Sequence, residues 1–137
     1  MSSLVNRQIV LNAHPVGAPV DTDFALVEGP VPAPGDGELL VRTIYLSLDP
    51  YMRGRMNPGP SYAKGVDVGD VMTGQTVGQV VTSNHGGFAE GEFVLSANGW
   101  QEYAVSDGQG VRKLAPTVAP ISTAVGVLGM PGMTAYV

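Results

Sequence analysis

Glycine and proline interrupt this sequence from end to end, and that punctuation limits what the chain can build. The 19 glycines and 11 prolines are spread along the 137 residues rather than clustered. Such spacing fits many short strands joined by turns. In residues 29–37 the three prolines remove backbone donors and fix φ, which blocks helix and ladder alike. Seven strands are predicted between the breakers, at residues 7–12, 24–28, 38–46, 75–82, 91–96, 100–105 and 111–114. Their number and turn density favour a closed or nearly closed β-barrel over an open sheet. In the third strand, Leu39, Val41, Thr43 and Tyr45 alternate with Leu40, Arg42, Ile44 and Leu46. Gly78 interrupts the fourth, where a bulge or a close backbone approach is expected.

The chain ends differently. From Pro120, the apolar positions Ile121, Ala124, Val125, Val127 and Leu128 suit a short helix opened by proline. Gly129-Met130-Pro131-Gly132 is predicted to break it, with a new element starting at Met133. An apolar end without a polar closure is expected to be a truncation.

Composition narrows the class. Hydrophobic residues make up 44% and charged residues 14%, so a packed core is expected rather than disorder. A net charge of −5 gives neither nucleic acid nor an anionic membrane a reason to bind. No apolar run approaches a membrane span, and residues 1–7 lack the apolar core of a signal peptide. Cysteine is absent, which removes disulfides and thiolate metal sites and suits a cytoplasmic protein. His14 and His85 sit in turn-rich segments and read as exposed turn residues. No zinc or other metal site is expected.

Chemistry concentrates in residues 46–56, Leu46-Ser47-Leu48-Asp49-Pro50-Tyr51-Met52-Arg53-Gly54-Arg55-Met56. A segment that only turned would use Gly, Asn, Ser and Pro. This one carries a tyrosine, two arginines and two methionines, as binding loops do. Tyr51 offers an aromatic face and a hydroxyl donor, or a core ring at the barrel mouth. Met52 and Met56 suit an adaptable lipophilic wall or plain core. Asp49 and Arg53 are four apart and within reach of an ion pair if the loop takes a helical turn. Arg55 could reach a phosphate or carboxylate, though a solvated surface arginine is the default reading. Tyr62 lies in the Gly- and Pro-rich loop 57–64, either over a ligand or simply exposed.

Several stretches together carry a family likeness. They are the residues 46–56 above, Asn6-Arg7-Gln8, Pro15-Val16-Gly17, Phe88-Ala89-Glu90-Gly91-Glu92-Phe93-Val94, Gly99-Trp100-Gln101-Glu102-Tyr103 and the run from Leu128 to Tyr136. The chain resembles the N-terminal, GroES-like part of the zinc-independent medium-chain dehydrogenase/reductases. Within them it resembles the branch of prostaglandin, alkenal and curcumin reductases. The resemblance implies a mainly β fold, a GroES-like partly open β-barrel with short helices at its C-terminal end. Residues 1–120 would form the substrate-side domain, and residues 121–137 would begin the connection to an NADP-binding Rossmann domain. The glycine turn that such a domain uses for phosphate is not found in residues 54–59 or 126–132. The chain therefore resembles about the first 40% of such an enzyme.

The same resemblance implies reduction of the carbon–carbon double bond of α,β-unsaturated aldehydes or ketones, with NADP(H) bound mainly by the missing domain. It places Tyr51 as a catalytic and substrate residue, with Met52, Met56 and Tyr62 in the substrate site. Met130 and Thr134 would contact the cofactor, or serve packing and helix-start chemistry. Asp49 and Arg53 would shape the loop. Trp100 and Tyr103 read as barrel structure. In place of the Gly-His-Glu of zinc-dependent relatives, the chain has Gly74-Gln75-Thr76, a poor zinc ligand set. The residues 1–137 alone are expected not to turn over. A homodimer is one state open to the full-length protein, since dimers in this family pair through the Rossmann sheet. The rival readings are a free-standing GroES-like interaction module and a quinone or alcohol oxidoreductase of the same superfamily.

Overall fold

A computed structural model describes residues 4–137. The first three residues, part of the segment read against a signal peptide, lie outside the described residues. Seven strands form: β1 (Val5–Leu11), β2 (Phe24–Pro30), β3 (Leu39–Leu46), β4 (Thr76–Ser83), β5 (Phe93–Ser96), β6 (Tyr103–Ser106) and β7 (Arg112–Leu114). Short helices α1 (Tyr51–Arg55) and α2 (Met130–Tyr136) accompany them, with 3-10 turns at Asp21–Asp23 and Ile121–Val125.

Strands β1 and β2 pair as an antiparallel hairpin, and the other five line up as β6-β3-β4-β5-β7, also antiparallel. The edge strands β6 and β7 do not pair with each other, so the large sheet curves without closing. Isolated pairings of Gln8 with Gln101 and Val10 with Val71 tie the hairpin to its end. The fold is mainly β, a partly open GroES-like barrel.

The alternation expected along β3 breaks. Leu39, Leu40 and Val41 are all buried, whereas Ile44 and Tyr45 are exposed. Register against β4 slips between Leu40 and Val41 and again between Thr43 and Tyr45, leaving Ile44 without a partner. An unpaired bulge residue shifts every following side chain to the opposite face. Leu46 is thereby turned inward, towards Gly74. Gly78, expected to mark a bulge or close approach, pairs with Thr43 beside that bulge.

The sixth strand starts later than expected, at Tyr103. Trp100 instead donates its N–H to the Met72 carbonyl at 2.8 Å and accepts from Ile9 N–H at 2.8 Å. Those partners draw its backbone away from β3. Its ring stacks on Phe24 with centroids 5.5 Å apart.

Two apolar clusters fill the interior. Leu39, Val41, Val80 and Val94 pack between the sheet's central strands. Leu11, Met52, Met56, Val66 and Met72 form the second, with Phe24, Tyr51 and Trp100 against it. The second cluster is the floor on which α1 rests.

The C-terminal segment departs from expectation. Ile121–Val125 makes one 3-10 turn instead of a continuing helix, and Gly129-Met130-Pro131-Gly132 opens α2 instead of breaking one. Proline lies in the first turn of α2, where no intrahelical donor is needed. No helix among the described residues is long and apolar enough to cross a membrane.

Candidate functional site

The loop after β3 is fixed at its root by Ser47 N–H, which donates to the Gln75 carbonyl at 2.9 Å. Asp49 and Pro50 then start a helical turn. Their carbonyls accept from Met52 and Arg53 N–H, each at 3.1 Å, and Pro50 already has φ −57° and ψ −31°. Residues 51–55 thus become the short helix α1, which sorts its side chains by direction.

Met52 and Met56 point into the core and are 3% and 4% exposed. Of the two readings open to them, lipophilic wall or plain core, their burial is that of core residues. Spaced four residues apart on the buried side of the turn, both thioethers come against Leu11, Val66 and Met72, beneath the site and away from its surface.

Arg53 does not pair with Asp49, although the helical turn forms. Its Nε donates to the Gly17 carbonyl at 2.9 Å, Nη2 to the Pro15 carbonyl at 3.0 Å and Nη1 to Asn57 Oδ1 at 2.6 Å. Its donors are taken up by two carbonyls of residues 15–17 and by the Asn57 side chain. Asp49 Oδ2 is left buried without a hydrogen-bond partner. Nearby, His14 Nδ1 lies 2.7 Å from the Met56 carbonyl oxygen, and the residue is half-buried rather than exposed.

Tyr51 and Arg55 occupy the remaining face of α1, one turn apart. The guanidinium carbon of Arg55 lies over the Tyr51 ring, 5.6 Å from its centroid, and over the Tyr62 ring at 4.8 Å. These three side chains edge a cleft of about 480 Å³, completed by Thr73, Gly74, Gln75, Leu95, Ser96, Ala97, Gly110 and Met130. Gly74 lies tight against the side chains beneath it. A Cβ would meet Leu46 Cδ1 at 2.8 Å, with Trp100 Cδ1 and Met52 Cε at 3.1 and 3.2 Å.

Burial raises the Tyr51 phenol pKa above its ordinary value, and the negative charge of Asp49 adds to the rise. Arg55 opposes both. The phenol therefore keeps its proton at neutral pH. Gln75 also lines the cleft, and its Oε1 is buried with no donor.

Of the residues singled out from sequence, the cleft gathers Tyr51, Tyr62 and Met130. Thr134 is not in its lining, and its hydroxyl donates to the Met130 carbonyl at 2.9 Å. Arg55, whose default reading is a solvated surface arginine, and Gln75, read only as a poor zinc ligand, join the lining. The four-residue spacing of Tyr51 and Arg55 was the available signal for the first. Nothing in the sequence marked the second beyond its place after Gly74. Among the described residues, no three His, Cys, Asp or Glu side chains group to hold a metal ion.

A mainly β, partly open GroES-like barrel is the fold of the N-terminal part of medium-chain dehydrogenase/reductases. The chain belongs to the family described as the N-terminal domain of oxidoreductase, whose model matches residues 7–114. Within it, the chain falls in the alkenal and prostaglandin reductase branch. It is 53% identical over 131 residues to the NADPH-dependent curcumin reductase of Escherichia coli (strain K12), covering 96% of this chain and 38% of that protein. It is 40% identical over 129 residues to prostaglandin reductase 1 of Bos taurus, covering 92% of this chain and 37% of that one. The crystal structure of CurA in complex with NADPH from Vibrio vulnificus superposes with a TM-score of 0.88 at 53% identity, over 95% of this chain and 39% of the other. The chain thus spans well under half the length of these relatives.

Proposed function

We propose that residues 1–120 are the substrate-side domain, and residues 121–137 the opening of the connection to a cofactor domain, of an NADP(H)-dependent reductase. Its reaction is reduction of the carbon–carbon double bond of an α,β-unsaturated aldehyde or ketone. The observation that carries this reading is the cleft where Tyr51, Tyr62 and Met130 meet Leu95 and Ala97.

The cleft fits a nicotinamide on its own chemistry. Gln75 carries a buried acceptor with no donor, which a carboxamide N–H would supply. The bound cofactor would provide hydride to the β-carbon of the substrate. Tyr51 acts at the other end of the conjugated system. Its hydroxyl donates to the carbonyl oxygen as negative charge develops there, where a placed donor counts most. A raised pKa keeps that donor protonated. Leu95, Ala97 and Met130 exclude water from the path of the hydride to the β-carbon. A proton from solvent at the α-carbon completes the saturated product, and the tyrosine gives up none of its own.

The test uses the complete reading frame of the gene with NADPH and an alkenal. NADPH consumption coupled to formation of the saturated aldehyde is the expected result. Formation of an allylic alcohol, or no consumption, would overturn the proposal. These 137 residues alone should consume no NADPH, because residues 54–59 and 126–132 do not form the phosphate-binding glycine turn.

A further inference from the structure

Arg55 is the one charged side chain among the described residues of the cleft lining, and its environment is unusual for an arginine. Its guanidinium carbon lies over two phenol rings, at 5.6 and 4.8 Å from their centroids. Among the described residues, no carboxylate lies within ion-pair distance of it, and its N–H groups donate to no protein acceptor. A guanidinium has five donors in a planar fork matched to the two oxygens of a carboxylate. Stacking on the aromatic rings engages the faces of that plane and leaves its edge for a ligand. The half-buried position and apolar neighbours strengthen any contact made there.

The origin of the arrangement is local. Tyr51 and Arg55 are one turn apart on α1, so the helix returns the long arginine side chain over the tyrosine ring. Tyr62 comes from the loop beyond and is otherwise 87% exposed. Its ring is thus placed at the cleft mouth by the same cation.

We propose that Arg55 is a specificity-determining residue that receives an oxyanion of the incoming substrate, so that the preferred substrates are unsaturated carbonyl compounds carrying a carboxylate. This rests on the double-bond reductase reading above. An oxyanion also arrives with a phosphorylated cofactor, and the experiment separates the two sources.

The full-length protein and its Arg55→Gln and Arg55→Lys variants are assayed on one enone as its free carboxylate and as its methyl ester. The wild type should prefer the carboxylate in kcat/KM by about ten-fold, the scale of one charge-assisted contact. The preference should vanish in Arg55→Gln and return only in part in Arg55→Lys. Arg42→Gln, which removes an exposed charge of β3, should retain it. A preference that survives Arg55→Gln overturns the proposal, as does an equal loss on both substrates. So does a variant that loses only its discrimination of NADPH from NADH, which would assign the oxyanion to the cofactor. Calorimetric titration with the saturated carboxylate product adds a readout free of turnover. Binding to the wild type that Arg55→Gln weakens about ten-fold supports the proposal, and equal binding sinks it. If the wild type reduces no enone, the reductase reading fails, and the titration still decides the role of Arg55.

Discussion

Gly78 on β4 passes so close to Arg42 on β3 that a Cβ at 78 would stand 2.5 Å from the Arg42 carbonyl oxygen and 2.5 Å from Val41 Cγ1. The contact belongs to the backbone and cannot be relieved by a rotamer change. Moving β4 away would open the ladder beside the Ile44 bulge. Gly78→Ala should therefore destabilise the fold by about 1–3 kcal/mol, the usual range for overpacking a core. Urea unfolding measures it, and a midpoint equal to that of the parent would refute the close approach.

Met52 separates a wall from a floor. Its thioether packs under the cleft against Leu11, Val66 and Met72 at 3% exposure. Met52→Ala should cost about 2–5 kcal/mol of stability, as buried methionines do. Met52→Leu, which conserves volume, should lose less than about 1.5 kcal/mol. A methionine facing substrate would act in reverse, with KM moving and the unfolding midpoint unchanged.

The strands were legible because Gly and Pro bracket them, and all seven appear at the expected places, although their ends shift. The details that failed lie where tertiary contacts compete with local pattern. Period-two alternation carries no mark of the Ile44 bulge, which arises from β4 and reverses the facing of Tyr45 and Leu46. The spacing of Asp49 and Arg53 permitted an ion pair, but the carbonyls of Pro15 and Gly17 come from a turn 36 and 38 residues away. Residues 46–56 stood out in the sequence by their large side chains. Which of them face the cleft depended on the helical turn, and that turn directs the methionines down and Arg55 across Tyr51.

Arg53 anchors this loop to the first turn of the chain. Its fork satisfies the Pro15 and Gly17 carbonyls and holds Asn57. Arg53→Ala should lower stability by about 1–3 kcal/mol, since hydrogen bonds from a charged donor are lost together. Arg53→Lys should recover only part, because one ammonium cannot span three acceptors in a plane. Limited proteolysis gives a local readout, with faster cutting in residues 57–65 expected in Arg53→Ala. Unchanged cutting and midpoint would mean the loop is held by α1 alone.

The last prediction concerns the proton on Tyr51. Burial comes first among the causes that raise its pKa, the charge of Asp49 second, and Arg55 works against both. A phenol that binds its proton more tightly when folded adds stability below its ordinary unfolded value, near 10. That contribution is lost as pH rises through the higher folded value. Ultraviolet titration of phenolate absorbance should show a tyrosine ionising above its ordinary value, a signal that disappears in Tyr51→Phe. Asp49→Asn should bring that titration down, and Arg55→Gln should push it up. The two shifts have opposite signs, so a general loosening of the loop cannot imitate them: greater exposure to water would lower the value in both variants. Movement in the same direction would show that hydration of the ring, rather than the charges flanking it, governs the donor.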